Sequence, residues 1–439
     1  MTRCVSFAAA LFLLFVSSEV RSLGQAGVVD EALVKRARAI HDRVIALDTH
    51  DDINPENFTR QKNYTQRLET QVNLPKMVEG GLDAAFFIVY VGQGELTPAG
   101  YDSAYQQAVA KFDAVHHLTK EIAPRQIELA LTAADVPRIA KAGRKVALIG
   151  IENAYSLGTD LKRIKEFHDR GGRYMSLAHN GHSQFADSNT GERDGRWLHS
   201  GLSELGRQAI AEMNKWGIMV DLSHPSKQAN MQALALSKAP VIASHSAARA
   251  LADHSRNMDD EQLMALKKNG GVIQTVAFAG YVKINKPDTP ERTAAILALR
   301  NEFGLGAPGG GGGTGTGAGG GGGVMAKLTP DKRTEYMARL AEIDKKTPGE
   351  TRATVADFVN HIDYLVKKIG LEHVGISSDF DGGGGVTGWN GAEETFNVTL
   401  ELVRRGYTEE QIGMIWSGNL LRVMAGVEKV AKQIQSGQK

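Results

Sequence analysis

The sequence predicts an α/β fold, a (β/α)8 TIM barrel with a C-terminal helical extension and a Gly-rich inserted loop. Eight apolar runs of strand length recur along the chain, at 44–48, 84–91, 146–151, 174–178, 218–222, 240–243, 271–278 and 373–377. Stretches such as 202–215 and 351–368 lie between them, with apolar residues three and four apart, the spacing that gathers them on one helix face. Strands alternating with helices are the sequence form of a parallel sheet. Six of the eight runs end in residues able to do chemistry: His50 and Asp52, Glu152, His179, His224, His245, and Asp379. A barrel demands that placement, because its active site is built on the loops at the C-terminal ends of the strands.

Each element of that prediction has its own support. With 439 residues, 42% of them hydrophobic, the chain buries one large core without an obvious division. Its 51 basic and 50 acidic side chains nearly cancel, and no long run of one sign steers it toward nucleic acid or an anionic membrane. A small neutral molecule fits better. At the N-terminus, Arg3 precedes the apolar stretch 7–16 and the small and polar residues up to Ser22. That stretch is too short to span a bilayer, and the order is that of a secretory signal. Residues 1–22 are therefore expected to be a signal peptide and 23–439 the barrel domain, exported to the periplasm or the medium. The sole cysteine, Cys4, lies ahead of the apolar stretch, so it is not placed to carry a lipid after cleavage. A metal site in the mature chain must use His and carboxylates.

One segment breaks the alternation. Residues 306–323 hold thirteen glycines among Thr, Ala and Pro. No core can be packed from them, and a flexible surface loop is expected. No GK[ST] follows and no strand leads directly in, which argues against a phosphate cradle. Helical pattern resumes near Thr329, and the chain closes with two helical stretches, 393–405 and 408–432.

The strand ends supply a ligand set. Side chains two apart on a strand share a side of the backbone, so His50 and Asp52 can reach one cation. Glu152 follows a strongly apolar run, where an unpaired carboxylate costs several kcal/mol or takes up a proton unless a metal or a salt bridge compensates. His224 and His245 end consecutive strands and face the same cavity. Taken singly, the His50-x-Asp52 triplet reads more readily as a solvated loop and His224 or His245 as a hydrogen-bonded core histidine, while Glu152 reads equally well as half of a salt bridge; together they suit two divalent cations with Glu152 between them. Two such ions roughly 3.5 Å apart hold a bridging water, acidify it and polarise a carbonyl. Asp379 is then the candidate general base and acid, unless it merely caps the following loop. His179 is free to meet substrate or a developing oxyanion, or to satisfy a backbone group.

These residues resemble a known family, the renal or membrane dipeptidases and their bacterial relatives among the metal-dependent amidohydrolase-like barrels. The resemblance runs from about Val44 to Met424. It rests on Asp48-Thr49-His50-Asp51-Asp52, Gly150-Ile151-Glu152-Asn153, Met175-Ser176-Leu177-Ala178-His179-Asn180, Val220-Asp221-Leu222-Ser223-His224, Ser244-His245-Ser246-Ala247-Ala248-Arg249, His254-Ser255-Arg256-Asn257 and Ser377-Ser378-Asp379-Phe380-Asp381-Gly382. It implies a binuclear zinc dipeptidase, with His50 and Asp52 on the first metal, His224 and His245 on the second, and Glu152 as the bridge. It also implies that His179 contacts substrate, that Arg256 binds the substrate carboxylate, and that Asp379 handles the proton. A guanidinium forks onto a carboxylate, which suits Arg256 to that task. Tyr281 lines the site on a looser local match. Manganese or cobalt can replace zinc on such ligands, and the resemblance is compatible with a homodimer. Asn153-Ala154-Tyr155 replaces the glycine-rich stretch usual after the bridging Glu, and the glycine tract is foreign to the family; no stable membrane anchor is expected.

Two other readings compete. Related barrels cleave other amides or lactones, but many bridge their metals with a carbamylated Lys on the fourth strand, where this chain has His179. A barrel that only binds should lack a ligand or the base, and every position here is filled.

Overall fold

The computed structural model describes residues 30–306 and 328–437. Among the described residues nine strands form, all parallel: β1 (Leu47–Asp52), β2 (Ala84–Tyr90), β3 (Ile127–Leu129), β4 (Lys145–Glu152), β5 (Gly172–Ser176), β6 (Met219–Asp221), β7 (Ile242–Ser246), β8 (Val272–Val276) and β9 (Val374–Ser377). Eight of them run in the order β1-β2-β4-β5-β6-β7-β8-β9, while β3, which the apolar pattern did not predict, pairs with β4 off this path. A bridge between Asp51 and Phe380 brings the last strand round to the first, with the Asp52 N–H donating to Phe380 O at 2.9 Å. The result is the expected eight-stranded barrel.

The strands read as nearly continuous apolar runs because both faces are covered. Leu47, Phe86, Ile88, Leu148, Tyr174 and Ile242 share one buried cluster. The alternate residues, Phe87, Val89, Ile149, Ile151 and Met175 among them, join the larger cluster that includes the helices. Period-two alternation sorts the side chains between the two.

The longest extension beyond the sequence-based bounds falls where polar residues are buried. β1 was expected at 44–48, yet it extends through Asp52 because Thr49 donates to the carbonyls of Ser244 and Ile376, and Asp48 accepts from Ser378 N–H. The register against β2 shifts between Asp48 and Asp51, a bulge that re-aims the side chains around His50. At the C-terminus, Phe396–Arg404, Glu409–Gly413 and Asn419–Gln435 are helices, but a π-turn at Met414–Gly418 interrupts the expected 408–432 stretch. There Trp416 donates to Thr399 Oγ1 at 2.9 Å, and Asn419 just beyond it to Val374 O at 2.8 Å.

Between β8 and β9 the chain inserts two helices, Pro290–Glu302 and Pro330–Lys346, which pack through Ile296, Leu299, Tyr336 and Leu340 into a small core of their own. Arg333 pairs with Glu69 on the segment after β1. The expected signal segment, 1–22, lies outside the described residues, as does the glycine tract 306–323 beyond Gly306. No helix among the described residues is long and apolar enough to cross a membrane.

Candidate active site

All five predicted ligands converge at the C-terminal mouth of the barrel. His50 and Asp52 come from β1, Glu152 from the last position of β4, and His245 from β7; His224 stands three residues past β6. Glu152, only 3% exposed, turns a different oxygen to each side. Its Oε1 lies 2.9 Å from His224 Nε2 and 3.3 Å from His245 Nε2, and those two nitrogens are 3.0 Å apart. Its Oε2 lies 3.5 Å from His50 Nε2, which is 3.8 Å from Asp52 Oδ2. Donors at about 2.0–2.1 Å around a tetrahedral zinc sit about 3.3 Å from one another. The spacings on both sides of Glu152 therefore match what a cation of that kind requires.

The hydrogen bonds behind the imidazoles point the same way. Tyr174 gives its hydroxyl proton to Thr49 O (2.9 Å) and accepts from His50 Nδ1 (2.8 Å). Ser244 gives its proton to Asp221 Oδ2 (2.6 Å) and accepts from His245 Nδ1 (2.8 Å). Each ring thereby turns the lone pair of its Nε2 into the cavity, the arrangement that supports metal-ligating histidines. His50 Nε2 and Asp52 Oδ1 are buried without a hydrogen-bond partner among the described residues. Orphaned buried donors and acceptors are costly, and a cation is the partner that the His and carboxylate set accepts.

The electrostatics reflect this crowding. Burial pushes the Asp379 carboxyl up to about 8, against the pull of His50 and with a further push from Asp52 and Glu152. Asp52 rises to about 6 through burial and the nearness of Glu152. Burial opposes charge on His50, yet Glu152, Asp379 and Asp52 outweigh it and raise the ring to about 9. His224 and His245 are held well below the usual imidazole range by burial, with Arg256 contributing to both. Glu152 falls well below the usual carboxylate range although burial opposes this, because His179, His50 and His224 surround it.

Asp379 stands just beyond β9 in the left-handed region, at φ 60°, as do His224 (82°), Asp381 (59°) and Asn153 (74°). Such residues are uncommon and cluster at functional sites. Gly382 is required beside Asp379: a Cβ there would come within 2.3 Å of Asp52 Oδ2 and 2.4 Å of Asp379 Oδ1. Asp379 can join His50 and Asp52 around one point.

His179 reaches the same cluster, its ring tilted against that of His224 with centroids 4.0 Å apart. Its Nε2 is 3.8 Å from Glu152 Oε1, farther than either His224 or His245. Arg256 is 4% exposed, donates to His245 O at 3.2 Å, and keeps its Nε without a partner. Tyr281 lies beside it, with the guanidinium carbon 5.4 Å from the ring centroid. Every predicted site residue is thus gathered at one mouth. Sequence reasoning missed the supporting Tyr174 and Ser244, the Tyr90 ring packed 4.6 Å from His179, and Asn153, whose amide donates to Val91 O. A tyrosine on a strand expected to be buried was the available signal for Tyr174.

Residues 34–438 match the model of the membrane dipeptidase family, peptidase family M19. "Dipeptidase tcpJ" of Claviceps purpurea (strain 20.1) is 30% identical over 372 residues, 84% of this chain and 72% of the relative. "Dipeptidase 3" of Homo sapiens is 28% identical over 409 residues, 91% of this chain and 68% of its own length. Among solved structures, the probable dipeptidase PvdM from Pseudomonas aeruginosa superposes with a TM-score of 0.73 at 32% identity, covering 92% of this chain and all of the other. The fold is shared at 22% identity by a metallo peptidase from Rhodobacter sphaeroides liganded with a phosphinate mimic of the dipeptide L-Ala-D-Ala, with a TM-score of 0.63 over 88% of this chain and 99% of that one. Strand order, the clustered His and carboxylate residues and the match over nearly the whole length lead to one conclusion: the chain belongs to the membrane dipeptidase family of metallopeptidases.

Proposed function

We propose that this protein hydrolyses the peptide bond of dipeptides with two divalent cations, zinc in first place and manganese or cobalt as substitutes. The observation that carries the reading is Glu152, whose two oxygens face two separate sets of imidazole and carboxylate donors. His50 and Asp52 would hold one cation, His224 and His245 the other, with Glu152 shared. Bound there, the cations supply an acidified water and polarise the scissile carbonyl.

The chain's own groups do the rest. Asp379, buried and pushed up to about 8, can take a proton at its carboxylate and return it to the departing amine, since a useful acid–base group titrates near the working pH. His179 is placed to donate to the oxygen on which charge develops. Arg256, with an unspent N–H, is suited to the substrate's terminal carboxylate, and Tyr281 borders that position. Residues 1–22, a signal peptide in this reading with 7–16 as its apolar core, favour export of the 23–439 domain.

Elemental analysis of the purified protein, with dipeptide hydrolysis followed before and after chelation, tests this. About two metal equivalents are expected, with activity lost on chelation and restored by zinc. A fully metallated protein inert toward every dipeptide but active on another amide or a lactone would replace the peptidase reading.

A further inference from the structure

Lys111 stands on the helix Pro98–His117, which follows β2. Its ammonium lies over the Tyr90 ring, 5.4 Å from the centroid, and Tyr90 in turn borders His179. The side chain is half-buried, yet no hydrogen bond or ion pair to it exists among the described residues. Burial lowers its affinity for protons while Asp52 and Glu152 sustain it, so its charge is felt at the mouth. A buried ammonium normally finds an anionic partner. Instead its ammonium faces the Tyr90 ring, an attraction of the cation–π kind.

Position tells which anion is missing. In the strand order β1-β2-β4-β5-β6-β7-β8-β9, β2 and β7 lie on opposite sides of the ring. Tyr90 ends β2, and Lys111 reaches it there; Arg256 follows β7 and touches the His245 carbonyl. A dipeptide whose terminal carboxylate meets Arg256 and whose scissile carbonyl sits at Glu152 directs its amino-terminal residue toward β1 and β2. We infer that Lys111 and Tyr90 form a subsite for an acidic side chain, that of Asp or Glu, on the first residue of the dipeptide. This rests on the dipeptidase reading above. Gln93, three residues past Tyr90, is held in place by Asn153, whose Nδ2 lies 3.3 Å from its Oε1, and packs so close to Gly181 that a Cβ there would come within 2.8 Å of Gln93 Cγ.

The test compares kcat/KM for Glu-Ala, Ala-Ala and Lys-Ala in the zinc-loaded wild type, Lys111→Met, Lys111→Arg and Lys111→Glu. In the wild type, Glu-Ala should lead Ala-Ala by about tenfold or more, the worth of a hydrogen bond to a charged group, chiefly through KM, and the lead should shrink as salt is raised. Lys111→Met should level the three substrates, Lys111→Arg should keep the order, and Lys111→Glu should turn it toward Lys-Ala. If Lys111→Met cannot be purified folded, the wild-type order and its salt dependence decide alone. Equal rates on Glu-Ala and Ala-Ala, or a preference that survives Lys111→Met, overturn the subsite while leaving dipeptide hydrolysis standing. No turnover of any of the three overturns both.

Discussion

The mouth of the barrel and the helical insertion between β8 and β9 solve opposite problems. At the mouth, three carboxylates, Glu152 among them, and four imidazoles are crowded into a buried space, with orphaned atoms at His50 and Asp52 and left-handed backbone at His224 and Asp379. None of this favours folding of the empty protein. The insertion is the reverse, two capped helices closed over Ile296, Leu299, Tyr336 and Leu340, with apolar burial as its main support. The contrast shows stability spent at one place for chemistry and accumulated at another.

The sharpest way to break that contrast is Asp379→Asn. Turnover should fall about 10²–10⁴-fold, the range for loss of a general acid–base group, while the melting temperature of the metal-free protein stays level or rises. Any rise follows from removing a carboxylate whose charge is opposed first by burial and then by Asp52 and Glu152, and Asn tolerates the left-handed backbone. Steady-state kinetics with calorimetry on the chelated protein would check both; a large drop in stability would mean that Asp379 is structural. Leu299→Ala should do the opposite, costing about 2 kcal/mol, the low end for Leu truncation because a small core can collapse, with kcat/KM on Ala-Ala unaltered. Denaturant unfolding and kinetics on one preparation would show whether the two regions are uncoupled.

The smallest effect concerns the joint between them. His361 accepts from Ala248 N–H at Nδ1 (3.1 Å) and donates to Val282 O at Nε2 (2.9 Å). It ties the helix Val355–Ile369 both to the segment after β7 and to the turn that carries Tyr281. Burial lowers its pKa below the ordinary 6.5, so the fold binds the neutral ring. Its contribution is complete above the unfolded value of 6.5 and is lost as pH falls below it, because the unfolded chain takes the proton more readily. Wild type should therefore lose more stability than His361→Asn on going from about pH 7.5 to about pH 5, read as the difference between the two denaturant unfolding curves. Equal losses would place the acid sensitivity elsewhere.

Legibility in the sequence followed the same division. Strands such as β2 and β4, buried on both faces, announce themselves as apolar runs, and Glu152 was conspicuous for standing at the end of one. β1 was harder: Asp48, Thr49, His50, Asp51 and Asp52 look like a loop until Ser378 and the carbonyls of Ser244 and Ile376 are available to accept or donate. The three-residue β3 has too few residues for any period. Lys111 could not be singled out, because on a helix of ordinary composition nothing local says that its ammonium reaches across to Tyr90. Tyr281 and Arg256, matched by local motif alone, came together through the tertiary turn at Ala279–Val282.

The seam of the barrel has a consequence for the life of the chain. The first and last strands meet at the site itself, where Ser378 N–H donates to Asp48, 330 residues earlier. Contacts so distant form late. During synthesis His50 and Asp52 emerge early and wait almost to the end of translation for Asp379 and Phe380, so the nascent chain carries donors but no reaction centre. A copy that stops short of Asp379 would lack the reaction centre without needing any inhibitory segment.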